Sequence, residues 1–161
     1  MTSTWTPPSA ARRLQILQQV NSIAIVGASS NPARASYFVA TYLLGSTRYR
    51  LYFVSPRETE ILGHAVYPTL ASLPEVPDIV DVFRRSSELP AVATEAVDTG
   101  AKVFWAQLGL HNDEAVQIAA GAGLEVVTDR CLKIEHARFA GGLHAAGFDT
   151  GVIDSRRRRL V

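Results

Sequence analysis

The chain has 161 residues, of which 47% are hydrophobic and 19% are charged, and its formal net charge is +1. This length suits one compact domain and is too short for two ordinary ones. A charge so close to zero gives no overall field to attract nucleic acid, and much of the positive charge lies in the four arginines 156–159. No apolar stretch is long enough to span a membrane, and the N-terminus lacks the apolar centre of a secretory signal. We expect a cytoplasmic protein with one domain over residues 1–161 and a basic tail at 155–161, and we expect neither a nucleic-acid nor a membrane partner.

The predicted elements alternate between helices and short apolar strands. An N-terminal helix over 9–20 follows two prolines, with Ser9 as its N-cap. Further helices are predicted over 34–44, 88–99 and 112–122, the last two ending at Gly100 and Gly121. The strand candidates are 22–27, 49–55, 78–83, 102–107 and 124–129.

The composition of these strands predicts the architecture. Several are nearly continuous runs of valine, isoleucine and phenylalanine, which is typical of parallel strands covered on both faces. Strands that alternate with helices imply right-handed crossovers. We therefore predict an α/β fold, a doubly wound parallel sheet of about five strands in the order 3-2-1-4-5, with helices on both faces and a core over about 22–139.

The segment "VGASSNPARAS" follows the first strand, where such a sheet places its ligand site. Gly27 permits a sharp exit from the strand, and the small residues Ala28, Ser29 and Ser30 leave backbone amides accessible to an anion. The chain then enters a helix through Asn31 and Pro32. This pattern also fits an ordinary strand-to-helix turn, so on its own it leaves both interpretations open.

Basic residues follow the next two predicted strands. An NAD site commonly places a carboxylate after the second strand, whereas this chain has Ser55, Pro56 and Arg57 there. Arg84 and Arg85 follow the third strand, where they serve either a ligand phosphate or an ordinary solvated loop. Cations at this edge favour a ligand with an extra ribose phosphate, which both NADP and coenzyme A carry.

Several segments in order resemble one family. The strings "IAIVGASSNPARASYFVATYLL", "VSPRETEILGHAVYPTLASLPEVPDIVDVFRRSSELP", "AVDTGAKVFWAQLGLHNDEA" and "GLEVVTDRCLKIEHARF" are similar to the bacterial YccU-like family of small CoA-binding proteins. These are stand-alone relatives of the CoA-binding domain of the succinyl-CoA synthetase alpha subunit. The resemblance covers roughly residues 23–139. The chain departs from the family pattern at Ala35 and Tyr37, where members often have proline and histidine.

The resemblance implies a Rossmann-like fold that binds coenzyme A, with the pyrophosphate at the first turn and the adenosine end along the second and third predicted strands. Carried over residue by residue, it implies twelve binding residues at three places in the chain. They are Gly27, Ala28, Ser29, Ser30, Arg34, Ser36, Ser55, Pro56, Arg57, Phe83, Arg84 and Arg85.

No catalytic or metal-binding group is assigned. His64 in "LGHAVYP" is interpreted as a loop residue, and Glu135 and His136 are adjacent in a terminal helix and so do not share a face. Cys131 is interpreted as a small buried residue, although a mixed disulfide with the CoA thiol is conceivable. We expect a protein that binds coenzyme A or an acyl-CoA, more in the manner of a binding protein than an enzyme. The alternatives are a small NADP-dependent oxidoreductase and an interaction subunit that senses acyl-CoA.

Overall fold

The computed structural model of this protein describes residues 5–140. Within them, seven strands form one sheet in the order β3-β4-β2-β1-β5-β6-β7, and helices cover both of its faces. The strands are β1 (Ser22–Val26), β2 (Arg50–Val54), β3 (Glu60–Ile61), β4 (His64–Tyr67), β5 (Ile79–Val82), β6 (Val103–Ala106) and β7 (Glu125–Val127). The helices are α1 (Ala10–Gln19), α2 (Ala35–Ser46), α3 (Leu89–Thr99), α4 (Asp113–Gly121) and α5 (Leu132–Ala140), with single 3₁₀ turns at Leu70–Ser72 and Ser86–Glu88.

The predicted α/β fold with a doubly wound sheet is confirmed, but the sheet has seven strands rather than about five, one of them is antiparallel, and the predicted place of one strand was wrong. β5, expected beside β2, instead pairs in parallel with β1 on its other side. The place next to β2 is taken by β4, a strand that the sequence analysis missed. β4 is short, with two exposed and two half-buried residues, and it follows a tight turn at Leu62 and Gly63, whose φ angles are 51° and 79°. When β4 is counted as the third parallel strand, the order is 3-2-1-4-5-6, the predicted order with one strand more, and β3 pairs antiparallel with β4 outside it.

Two apolar layers fill the space between sheet and helices. α3 and α4 pack on one face, while α1, α2 and α5 pack on the other. Phe104 and Trp105, neighbours on β6, are both fully buried on opposite faces, as the alternation of side chains in a strand requires.

The helix ends follow their local sequence. The side chains of Ser9 and Asn112 cap α1 and α4 by accepting hydrogen bonds from the backbone N–H groups of Arg12 and Ala115, as predicted for Ser9. Gly100 ends α3 with a φ of 93°. Gly121, the other predicted stop, is instead the last residue of α4, and the left-handed conformation falls on Gly123.

The first and last described elements pack together. On α1, Arg13 donates from Nε to Glu135 Oε1 on α5 at 2.6 Å, and both side chains are buried. Upstream of α1, the indole of Trp5 donates to the carbonyl of Val126 on β7 at 3.2 Å. Arg12 forms an ion pair with Glu125 at the start of β7. The N-terminal segment is thereby attached to the last strand of the sheet.

The tail with four arginines at 156–159 lies outside the described residues. Among residues 5–140, none of the helices is long and apolar enough to cross a membrane.

Candidate functional site

The three predicted segments meet at the carboxyl edge of the sheet. Gly27 leaves β1 with a φ of 85°, and its N–H donates to the carbonyl of Val54 at the end of β2 at 3.0 Å. On the other side, a Cβ at Gly27 would lie 2.7 Å from the carbonyl oxygen of Phe83 and 2.8 Å from Cδ of Arg84. The turn after β1 therefore lies between the ends of β2 and β5 and is in close contact with both.

The turn is held by short-range hydrogen bonds that lead into α2. Ser29 Oγ accepts from the N–H of Asn31 at 3.0 Å, and Asn31 Oδ1 accepts from the N–H of Ala33 at 2.9 Å. Arg34, the N-cap of α2, is exposed and makes no side-chain cap. The first amides of a helix have no acceptor inside it, so this end of α2 offers N–H donors and the positive end of its dipole.

Ser30 has a partner that the sequence analysis did not predict. Its N–H donates to Glu58 Oε2 at 2.9 Å, and its hydroxyl donates to the same oxygen at 3.1 Å. Glu58 follows β2, so this carboxylate joins the first segment to the second. One of the backbone amides expected to bind an anion is therefore already hydrogen-bonded to a carboxylate.

The segment after β2 presents an unpaired cation. Ser55 is buried; its N–H donates to the carbonyl of Tyr67 on β4, and its Oγ accepts from the N–H of Arg57 at 3.2 Å. Pro56 and Arg57 are exposed. Among the residues that the structure describes, the Arg57 side chain has no ion-pair partner, so its guanidinium is available to a ligand.

The two arginines after β5 are paired with one glutamate. Arg84 donates from Nε to Glu88 Oε1 at 2.7 Å, and Arg85 donates from Nε to Glu88 Oε2 at 3.0 Å. These hydrogen bonds, first from Arg85 and then from Arg84, lower the pKa of Glu88, so it is ionised near neutral pH. The arginines are present as predicted, but each already has an anionic partner.

A cavity of about 490 Å³ opens between the ends of β1, β2, β4 and β5 and the start of α3. This volume is within the range of small-molecule sites, roughly 300–1,000 Å³. Two residues of the predicted site, Pro56 and Arg84, lie in its wall. The lining residues are Val26, Val54, Pro56, Pro68, Thr69, Arg84, Ser87, Glu88, Ala91, Val92 and Glu95.

Most of the lining residues were missed by the sequence analysis. Pro68 and Thr69, in the loop after β4, were missed because that strand was not recognised. Glu88 had a detectable signal, since it lies four residues after Arg84 and three after Arg85, at spacings that favour ion pairs on a helical turn.

Two buried polar side chains lie in the layer beneath the turn. Ser36 Oγ on α2 and both carboxylate oxygens of Asp81 on β5 have no hydrogen-bond partner among the described residues. Asp81 pairs in register with Ile25 and Trp105, which belong to the apolar layer that α2 covers. Complete burial raises the pKa of Asp81 well above its ordinary value. The side chain therefore favours its neutral form far more than an exposed aspartate does.

The other groups considered from the sequence have local partners. His64 lies in β4 rather than in a loop, with its ring 5.9 Å from that of Phe53. His136 Nδ1 is 2.8 Å from the Tyr42 hydroxyl, and burial lowers the pKa of this histidine. Cys131 is half-buried and packs against the apolar layer of α5. Within residues 5–140, no group of three or more His, Cys, Asp or Glu residues is arranged to hold a metal ion.

Comparison with known proteins identifies the family. The model of the CoA binding domain matches residues 21–137. The chain belongs to this family. This CoA-binding domain is 42% identical over 130 residues to the uncharacterized protein YneT of Bacillus subtilis, covering 81% of this chain and 96% of that protein.

Solved structures agree with this membership. A hypothetical protein from Pyrococcus horikoshii is 34% identical, with a TM-score of 0.80, and the match covers 87% of this chain and 100% of that one. A dinucleotide-forming acetyl-coenzyme A synthetase from Ca. Korarchaeum cryptofilum is 23% identical, with a TM-score of 0.62, and shares the fold over 72% of this chain and 28% of its own. The resemblance to small CoA-binding proteins is thus confirmed, together with the Rossmann-like fold.

Proposed function

We propose that this protein binds coenzyme A, or an acyl-CoA, at the carboxyl edge of its sheet and catalyses no reaction of its own. The pyrophosphate lies at the turn after β1 and the N-terminus of α2, and the adenosine end lies in the cavity between β2, β5 and α3. The observation that carries the proposal is the convergence of the three predicted segments around Gly27. The family of the chain supports coenzyme A over other nucleotides.

The chemistry of the edge fits the proposed ligand. The start of α2 has no side-chain cap, which leaves N–H donors for a pyrophosphate. Arg57, with no ion pair among the described residues, and Arg84, in the cavity wall, are the candidates for the ribose phosphate. The apolar side chains of Val26, Val54 and Val92 offer a surface for the adenine ring.

The experiment compares three ligands by isothermal titration: CoA, dephospho-CoA and NADP. A charge-assisted contact with the ribose phosphate predicts that CoA binds at least about tenfold more tightly than dephospho-CoA. Arg57→Ala is expected to reduce this ratio. Arg48→Ala is the matched control, because Arg48 is also exposed but precedes β2 at the opposite edge of the sheet.

Four results would contradict parts of the proposal. No measurable CoA binding refutes the function itself. Equal affinity for CoA and dephospho-CoA refutes the assigned phosphate contacts, and tighter binding of NADP than of CoA favours an oxidoreductase. An equal effect of the two arginine variants would show that general charge, rather than a contact made by Arg57, controls affinity.

A further inference from the structure

Two glutamates already occupy groups that a ligand phosphate needs. Glu58 accepts both the N–H and the hydroxyl of Ser30, in the turn assigned to the pyrophosphate. Glu88 accepts one hydrogen bond from Arg84 and one from Arg85, with a different carboxylate oxygen for each. Glu58 lies in the segment that follows β2, and Glu88 lies between β5 and α3.

A carboxylate and a phosphate compete for the same donors. Both are anions that accept charge-assisted hydrogen bonds from guanidinium and backbone N–H groups. Glu88 lines the cavity together with Arg84, so a phosphate on Arg84 would lie next to the carboxylate of Glu88. Two anions that share one pair of cations repel each other, so the phosphate binds well only when Glu88 moves away.

We infer that Glu58 and Glu88 compete with the phosphates of the ligand for the same hydrogen-bond donors. Of the two, Glu88 sets the preference for a ligand with a ribose phosphate. This inference rests on the proposed function, because it assumes that a phosphorylated ligand enters this edge. Ligand binding is then an exchange in which the pyrophosphate replaces Glu58 on Ser30 and the ribose phosphate replaces Glu88 on the arginines. The two glutamates differ in the ligand group that they oppose.

Because of this difference, replacing each glutamate is expected to change the affinities for CoA and dephospho-CoA in a different way. CoA and dephospho-CoA share the pyrophosphate, so Glu58→Gln is expected to tighten the binding of both ligands equally. Only CoA carries the ribose phosphate, so Glu88→Gln is expected to tighten CoA and leave dephospho-CoA unchanged. If Glu88 instead served to orient the two arginines for the ligand, Glu88→Gln would weaken CoA and lower its preference over dephospho-CoA.

The expected changes in CoA affinity are small because the contacts of both glutamates are exposed or partly exposed. The partly exposed ion pairs of Glu88 and the exposed hydrogen bonds of Glu58 each contribute little, so each substitution is expected to tighten CoA about two- to fivefold. The double variant Glu58→Gln/Glu88→Gln is expected to tighten it roughly tenfold if the two sites act independently. Glu75→Gln is the matched control: Glu75 accepts two hydrogen bonds from Arg50, at 2.6 and 3.0 Å, at the opposite edge of the sheet.

The experiment is isothermal titration of CoA and dephospho-CoA against the wild type and these variants at one ionic strength. Higher CoA affinity in Glu88→Gln, with unchanged dephospho-CoA affinity and no effect of Glu75→Gln, supports the inference. Unchanged or weaker CoA binding in both site variants overturns it, while wild-type binding keeps the proposed function intact. Absence of CoA binding in the wild type and in every variant refutes the function and the inference together. Binding that appears only in the variants supports both.

Discussion

Replacing Gly27 by alanine tests the close approach on which the site is built. The φ of 85° at Gly27 costs an L-residue about 1–2 kcal/mol. The added Cβ would also lie 2.7 Å from the carbonyl oxygen of Phe83, a backbone atom that can move only with β5. Overpacking of this kind typically costs about 1–3 kcal/mol. Gly27→Ala is therefore expected to lower the free energy of unfolding by about 2–5 kcal/mol.

Gly63→Ala provides the control that separates the two contributions. Gly63 has a similar φ of 79°, but nothing lies within 4 Å of the position of its Cβ. Its substitution is expected to cost only the conformational term, about 1–2 kcal/mol. Urea unfolding followed by circular dichroism measures both variants. Equal losses in the two variants would refute the argument that Gly27 is required by the contact between β1 and β5.

Two further predictions concern buried ionisable groups on the face of the sheet that α2 covers. Burial raises the pKa of Asp81 above 3.8, so the folded state holds this proton more tightly than the unfolded chain does. The free energy of unfolding should therefore fall as the pH rises from the ordinary carboxyl pKa through the raised one. Urea unfolding between about pH 5 and pH 8 should show this fall in the wild type and a flatter profile in Asp81→Asn; parallel profiles would contradict it. Glu135→Met should cost about 3–5 kcal/mol, because Arg13 remains buried without its partner. Arg13→Met should cost less, since Arg130 and Arg138 each lie 3.8 Å from Glu135; a greater loss in Arg13→Met would contradict the assignment.

The sequence predicts best the features that depend on local chemistry. Ser9 and Asn112 have side chains that suit an N-cap, and both cap helices. The buried strands β1, β5 and β6 consist largely of apolar residues, and each was predicted within two residues of its bounds. The three segments proposed to bind the ligand meet at one edge because β1, β2 and β5 are parallel, and parallel strands end on the same side of a sheet.

The features that the sequence did not reveal depend on long-range pairing. β4 contributes only two residues to its pairing with β2, and its exposed and half-buried side chains give no strong periodicity. Because β4 was not predicted, β5 was placed on the wrong side of β1 in the predicted strand order. The contact between Glu58 and Ser30 joins residues 28 positions apart, and no local pattern indicates it.

The attachment of the N-terminal segment to the last strand has a consequence for the order of folding. The ion pair of Arg13 and Glu135 spans 122 positions of the chain, and the hydrogen bond of Trp5 to Val126 spans 121. A ten-residue helix such as α1 is marginal by itself in water, and its buried ion pair with Glu135 forms only after α5 has been synthesised. A nascent chain that stops after β7 therefore carries all twelve residues proposed to bind the ligand, but Arg13 on α1 still lacks its buried partner. The fold is therefore completed by residues that lie outside the proposed ligand site.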